Sequence, residues 1–401
     1  MFSLMASTDG PRALGELLNV AHERPFSLLF ANYSLMLGIA GGAAILWAFL
    51  LWYSSWERSL RDHAAFRLAP LIAVSLIAAG FLNVLAEVQQ PSRLIYGYLF
   101  GWTYWDTAII KYGIILLPLL LMLCWWLTFQ CLPREDLEKR IAPLSSPWRE
   151  AADFFSLWSR RYSVFDNPLA TNLVLIAMVL LGLFAALYSG IFLMGEHGVP
   201  LWNSPALPVL FLSTGLAGAV LILIGLIPIV RSLLGDEPTV VVSSQKEEKE
   251  EKELRGFGVV FLFLSAFLWL VWMWGLKHFG GVEELRAVQL FQDPYEGMIV
   301  AHWWFIGLFI PIGIMLTPLW NSQALKGVAA VAALWGAYMI RVIILAGGQA
   351  GNRSGAGYLS FTPGGEVFWY SGFSLLFLVF LLALMLLLLP HPKPNAHAET
   401  G

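Results

Sequence analysis

Of the 401 residues, 58% are apolar and only 13% are charged, with 18 Trp and 27 Phe. A soluble domain carries about a quarter charged residues, so this composition excludes a single water-soluble core and fits a multi-span membrane protein. The net charge of −3 offers no basic face for nucleic acid. Two cysteines, Cys124 and Cys131, fall short of the roughly four thiolates an iron–sulfur cluster needs.

Residues 1–25 are polar and lack the apolar core of a cleavable signal, so 1–26 reads as an extracytoplasmic N-terminal segment. An apolar run of about 20 residues crosses the roughly 30 Å hydrocarbon layer as a helix. Nine runs meet that test, near 27–53, 67–87, 108–131, 169–193, 206–230, 257–276, 298–319, 327–347 and 369–389. Backbone polar groups in lipid must be satisfied internally, so each run predicts a helix. The expected fold class is an all-α polytopic membrane protein, about nine transmembrane helices in two packed bundles. Residues 27–389 form the membrane domain and 390–401 a cytoplasmic tail.

Lys and Arg set the orientation. The first loop holds Arg58, Arg61 and Arg67, and the third holds Arg134, Lys139, Arg140, Arg149, Arg160 and Arg161. The fifth holds Arg231, Lys246, Lys249, Lys252 and Arg255, and the seventh Lys326. The alternate loops are poor in both residues. The basic loops, among them 132–168 and 231–256, are therefore expected in the cytoplasm and the N-terminus outside. In the first of these two, Trp148, Phe154, Phe155 and Trp158 are spaced as a helix lying on the membrane surface. In the second, the mixed charge run 245–253 reads as a solvated linker or frayed helix.

Ionisable and hydrogen-bonding residues inside spans are costly and mark candidate sites. By the expected orientation, Asn32 and Tyr33 lie just inside the outer end of span one, and Glu87 closes span two. Asp106 and Lys111 open span three, Tyr188 lies near the outer end of span four, and His302 near the outer start of span seven. Arg341 lies about six residues, roughly 9 Å, from the outer end of span eight, with Gln349 just beyond. These residues are expected at one outer level, while the inner halves of the same spans are nearly free of such groups. A half-apolar pocket there suits an amphiphile arriving from lipid, such as a quinone. Tyr, His and Asn supply donors to its carbonyls, and Glu87 and Arg341 are placed to relay its protons. The competing interpretation is that these side chains cap helices and snorkel to the interface.

A membrane haem takes axial ligands such as paired histidines on facing helices. His22, His63, His197, His278, His391 and His397 fall in loops or tails, which leaves His302 alone in a span. No haem, iron–sulfur cluster or metal site is expected, and electrons must be shared with another subunit.

Several blocks then point to a family. Gly38-Ile39-Ala40-Gly41-Gly42 offers small residues for close helix contact. Glu87-Val88-Gln89-Gln90-Pro91-Ser92-Arg93 follows span two, and Tyr188-Ser189-Gly190 precedes Pro200-Leu201-Trp202-Asn203-Ser204-Pro205 and Phe211-Leu212-Ser213-Thr214-Gly215-Leu216. Arg341 precedes Ala346-Gly347-Gly348-Gln349. In this order the blocks resemble the NrfD/polysulfide-reductase membrane-anchor family. The resemblance implies a quinone-reactive subunit, without cofactors of its own, of a respiratory oxidoreductase of the molybdoenzyme or alternative complex III type. The implied location is the bacterial or archaeal cytoplasmic membrane. The implied partners are an iron–sulfur subunit and catalytic or cytochrome subunits on the outer face, with a second homologous membrane subunit in some complexes. By position Tyr188 matches the family's quinone-contacting Tyr. Tyr33 falls where some members carry a quinone-contacting His, and Asn32 lies near a polar position. A phenol still donates a hydrogen bond but is a weaker acid–base near neutral pH. The alternatives are a structural anchor without quinone turnover, and a solute or ion transporter, whose sites lie nearer the midplane.

Overall fold

The computed structural model describes residues 26–54, 64–87, 109–130, 167–196, 198–234, 241–350 and 365–388. All regular structure among them is helical. We number the helices α1 (Leu28–Ser54), α2 (Ala64–Glu87), α3 (Ile110–Gln130), α4 (Pro168–Met194), α5 (Ala206–Leu234), α6 (Val241–Phe279), α7 (Val282–Met298), α8 (Ile310–Leu316), α9 (Gln323–Ala350) and α10 (Gly365–Leu388). A π-helix, Ile299–Phe309, joins α7 to α8, and a 3₁₀ turn, Pro318–Asn321, leads to α9.

Eight described segments are long and apolar enough to cross a membrane, from Leu28–Trp52 to Gln323–Gln349. The ninth expected span corresponds to α10, whose described apolar stretch, Gly372–Ala383, is shorter. At 1.5 Å per residue the 27 residues of α1 extend about 40 Å, enough to pass the hydrocarbon layer with tilt to spare.

Helices α1 to α4 pack as one four-helix group, and α5, α6, α9 and the π-helix/α8 segment as a second. Helix α1 also packs on α5 and α9, so it is central to both. Its sequence is apolar on every side, the mark of a helix with no solvent face. Peripheral helices are two-sided instead. On α3, Leu117, Leu120, Cys124 and Leu127 are buried, while Tyr112, Ile115, Leu119 and Met122 are exposed at helical spacing. On α6, Leu262, Ser265, Trp269, Trp272 and Leu276 are buried, and Phe263, Phe267, Leu270 and Trp274 look outward. Such outward apolar stripes suit lipid as the surrounding solvent.

Close contact depends on small residues. Gly41 lies against Gly182 and Ala186 of α4, and Gly42 against Gly215 of α5. Gly307 of the π-helix meets Gly336 of α9 backbone to backbone. Helix α10 packs on α2 and α1, and its other side, including Trp369, Phe373, Leu376 and Phe380, is exposed.

Two stretches between expected spans are helical. The charge run 245–253 belongs to α6, a continuous helix of 39 residues. The stretch before the seventh span forms α7, whose Val288, Phe291 and Tyr295 are buried beside Trp269 and Trp272 of α6. The surface helix expected around Trp148–Trp158 lies outside the described residues; of the loop 132–168 only Asn167 and Pro168 are described, as the N-cap and first turn of α4.

At the far end of the bundle, opposite the start of α1, Lys326 pairs with Glu251. Lys326 Nζ also lies 5.3 Å from the Trp320 ring centroid, and the Arg255 guanidinium carbon 5.6 Å from it. Lys326 is buried, whereas the Glu251 side chain keeps 34% of its surface exposed. The two partners are therefore unequal. Removing the acid strands a buried ammonium, which costs about 3 kcal/mol, while removing the lysine leaves an acid that rehydrates, for about 1 kcal/mol. Thermal unfolding in detergent is expected to show a larger loss for Glu251→Gln than for Lys326→Met. Equal small losses would mean that the pair does not hold this end together.

Candidate functional site

The site is built from the near end of the bundle, where α1 begins. Ser27 precedes α1 and caps it, its Oγ accepting from the Leu29 backbone N–H at 3.1 Å. The Ser27 hydroxyl donates to Glu87 Oε2, and its backbone N–H donates to Glu87 Oε1 at 2.7 Å. Glu87, the last residue of α2, thus fastens the start of α1, where a carboxylate also meets the positive end of the helix dipole. Beside it, the Phe26 N–H donates to Gln349 Oε1 of α9 at 3.1 Å.

Deeper along α1, Asn32 Nδ2 donates to Asn83 Oδ1 at 3.4 Å, and Asn83 Nδ2 donates to the Ala79 carbonyl at 2.9 Å. The Ser34 hydroxyl meets that of Ser189 on α4 at 2.8 Å. All four side chains are buried, and pairing them satisfies groups that apolar surroundings would penalise.

Tyr33 and Tyr188 share this level. Both are buried, at 8% and 4% exposure, on α1 and α4, which pack against each other. Aromatic contacts hold them in place. Phe30 lies 6.2 Å from Tyr33 and 5.8 Å from Phe192, and Phe192 lies 6.3 Å from Tyr188. Gly80 faces the Tyr33 ring at ordinary contact distance, and Gly113 leaves room for the Tyr188 hydroxyl, which a Cβ at position 113 would overlap. Among the described residues neither phenolic hydroxyl has a hydrogen-bond partner, and neither oxygen belongs to the fully buried unpaired polar atoms. Two phenol donors thus stand on largely buried rings of packed helices, with their hydroxyls open to an acceptor from outside the chain.

Four of the eight residues singled out from the sequence thus gather on α1, α2 and α4: Asn32, Tyr33, Glu87 and Tyr188. Lys111 lies at the start of α3, half-buried, its ammonium 5.3 Å from the Tyr112 ring centroid. Asp106 lies outside the described residues. Arg341 is not in this group. It sits between the two bundles, 1% exposed, with Nη1 donating to the Ala337 carbonyl at 2.7 Å and Nη2 to the Phe211 carbonyl at 3.1 Å. Its guanidinium carbon lies 4.8 Å from the Phe211 ring centroid, and Gly38 of α1 makes room for Nη2. Its Nε has no partner, and no acid pairs with it among the described residues. His302 is further away still, on the π-helix against Trp335 of α9.

Sequence reasoning missed Gly113, Ser34 and the site role of Ser189. Of these only Ser189 carried a signal, as the neighbour of Tyr188 in a quoted motif. Among the described residues no three His, Cys, Asp or Glu side chains gather where they could hold a metal ion.

Fold and site define a multi-pass helical membrane protein with a polar, phenol-bearing level inside its first bundle. The family described as "Polysulphide reductase, NrfD" matches residues 16–351, and the chain belongs to that family. It is also similar to the protein named "Protein NrfD" from Escherichia coli (strain K12), at 26% identity over 330 residues, covering 79% of this chain and 90% of the relative. The match to the family ends before α10. The chain is thus an NrfD-family protein with eight described helices long and apolar enough to cross a membrane.

Proposed function

We propose that this chain is the quinone-binding membrane subunit of a multi-subunit respiratory oxidoreductase, with its site between Tyr33 and Tyr188. The observation that carries this reading is the pair of largely buried tyrosines on two packed helices whose hydroxyls have no partner among the described residues. A quinone presents two carbonyl acceptors and an apolar ring, which matches donors set among Phe30, Phe184 and Phe192. Asn32, one helical position from Tyr33, adds an amide at the same level.

The reaction follows from that placement. Oxidation of a quinol releases two electrons and two protons, and reduction takes up the same. The phenols hold the ring oxygens, and the electrons pass to or from an iron–sulfur partner docked at the near end of the bundle. The protons exchange there too, with Glu87 as the nearest carboxylate and Lys111 as a cation at the same end. By the distribution of Lys and Arg, that end faces the exterior.

A structural anchor is the second reading, favoured by one observation: Glu87 is engaged in holding the start of α1 through Ser27. Quinol oxidation by the intact complex separates the two. Tyr188→Phe removes a donor without removing the ring, and turnover is expected to fall at least tenfold, about the value of one hydrogen bond to a reacting oxygen. Glu87→Gln is expected to slow turnover and flatten its pH profile. Wild-type rates in both variants, with assembly intact, would leave the structural anchor as the function.

A further inference from the structure

The π-helix Ile299–Phe309 is unusual in its own right. Such i→i+5 turns occur mostly as single-turn bulges and are frequent at functional sites, yet this one runs for 11 residues. Its Gly307 presses on Gly336 of α9 with no side chain between them. That crossing brings the neighbouring Trp335 within reach of His302, and the indole Nε1–H donates to His302 Nδ1 at 3.2 Å.

The bond fixes the imidazole. An Nδ1 that accepts carries no proton, so the neutral ring holds its proton on Nε2. His302 is half-buried, and among the described residues none accepts from Nε2. Around it the surface is apolar and outward-facing: Val300, Phe305 and Phe309 on the π-helix, and Val328 and Val331 on α9 are all exposed. Tyr338 stands next to Trp335, ring centroids 6.2 Å apart. His302 is the eighth residue of the membrane-crossing segment Tyr295–Leu316, roughly 10 Å from its first residue at helical rise. A donor at that depth is below bulk water, and its acceptor has to come from the lipid phase.

We propose that His302, oriented by Trp335, is the hydrogen-bond donor of a second amphiphile site on the lipid-facing flank of the second bundle, taking a carbonyl oxygen of a lipid-borne ligand. The acceptor chemistry is shared by the ester carbonyl of a phospholipid and the ring carbonyl of a quinone. The tail of either lies along Phe305, Phe309 and Val331. This site is separate from the Tyr33–Tyr188 pair and stands whether or not that pair binds a quinone.

The test uses nitrogen-15 histidine NMR on the full chain in nanodiscs, with the His302 signals assigned by their loss in His302→Gln. Three bilayers are compared: ester-linked phosphatidylcholine, its ether-linked analogue, and the ether-linked analogue with decylubiquinone added. Nε2 is expected to be the protonated nitrogen in all three. A hydrogen-bonded Nε2 shift in ester lipid that is lost in ether lipid supports a phospholipid occupant. A shift that appears in ether lipid only when decylubiquinone is added supports a quinone occupant. The same result in Tyr188→Phe places the quinone at His302 rather than in the first bundle. An Nε2 signal identical in all three bilayers, or a proton on Nδ1, overturns the proposal.

Discussion

Gly41→Val is expected to abolish accumulation of the folded chain. A Cβ at position 41 would fall on the Gly182 carbonyl oxygen, 2.7 Å from Ala186 N and 2.9 Å from Ala186 Cβ. Two of those three atoms are backbone of α4, which cannot rotate aside. Overpacking a core costs about 1–3 kcal/mol when side chains can adjust, and more where they cannot. Here relief requires α1 and α4 to separate, which undoes the Ser34–Ser189 bond and moves Tyr188. The measurement is the yield of monodisperse protein in detergent and its unfolding temperature. Gly275→Ala, on α6 with nothing within 4 Å of the added atom, is the control and is expected to leave both unchanged, since Ala favours a helix over Gly. A Gly41→Val protein with wild-type stability would mean that α1 and α4 are not in contact at this point.

The contrast between those two glycines shows what the sequence makes legible. A run such as 28–54 announces a spanning helix because lipid allows few alternatives, and eight of the nine expected spans coincide with described segments long and apolar enough to cross a membrane. Small residues in Gly38-Ile39-Ala40-Gly41-Gly42 announce close contact, but not that Gly41 faces α4 while Gly42 faces α5. Position along each helix was readable as a count of residues, whereas azimuth was not. Tyr33, Glu87, Tyr188, Arg341 and His302 all read as one level, since distance from a helix end is a count of residues. Which way each side chain points depends on how the helices pack. In the structure Arg341 lies against Gly38, five residues beyond Tyr33 on α1, and His302 bonds to Trp335, six residues further than Arg341 from the near end of α9, so neither shares the surroundings of Tyr188. The π-helix that carries His302 has no pattern of its own in the sequence. The run 245–253 has no apolar face, so hydrophobic periodicity was silent on a helix that α6 imposes by continuity. Asn83 and Ser34 are single polar residues in apolar helices, visible as exceptions but not as partners of Asn32 and Ser189.

Arg341→Met is expected to leave the protein as stable as before, or more so, while turnover of the intact complex falls more than tenfold. A guanidinium with 1% exposure and no acid partner among the described residues carries an uncompensated desolvation cost. Replacing buried ions by apolar side chains of similar volume is often neutral or stabilising by about 1–4 kcal/mol. The carbonyls it leaves behind are not stranded: the Phe211 oxygen also accepts from the Thr214 hydroxyl, and the Ala337 oxygen lies in the hydrogen-bonded body of α9. A cation retained at such a cost inside a membrane is expected to serve function. Its position indicates how. Gly38, which makes room for Nη2, follows Tyr33 by five residues on α1, about 7.5 Å of rise. A unit charge on the order of 10 Å away, at an effective dielectric of about 20, contributes about 1.7 kcal/mol to an anion. That field favours the electron-rich, deprotonated form of a ring held by Tyr33 and Tyr188, and 1.7 kcal/mol is more than tenfold in rate. Arg341→Lys keeps the charge without the planar fork that reaches both carbonyls and is expected to recover part of the rate. Unfolding temperature and quinol-dependent turnover, measured on the same preparations, test both halves. Wild-type turnover in Arg341→Met would remove the cation from the chemistry, and a collapse of stability would make it a packing residue instead.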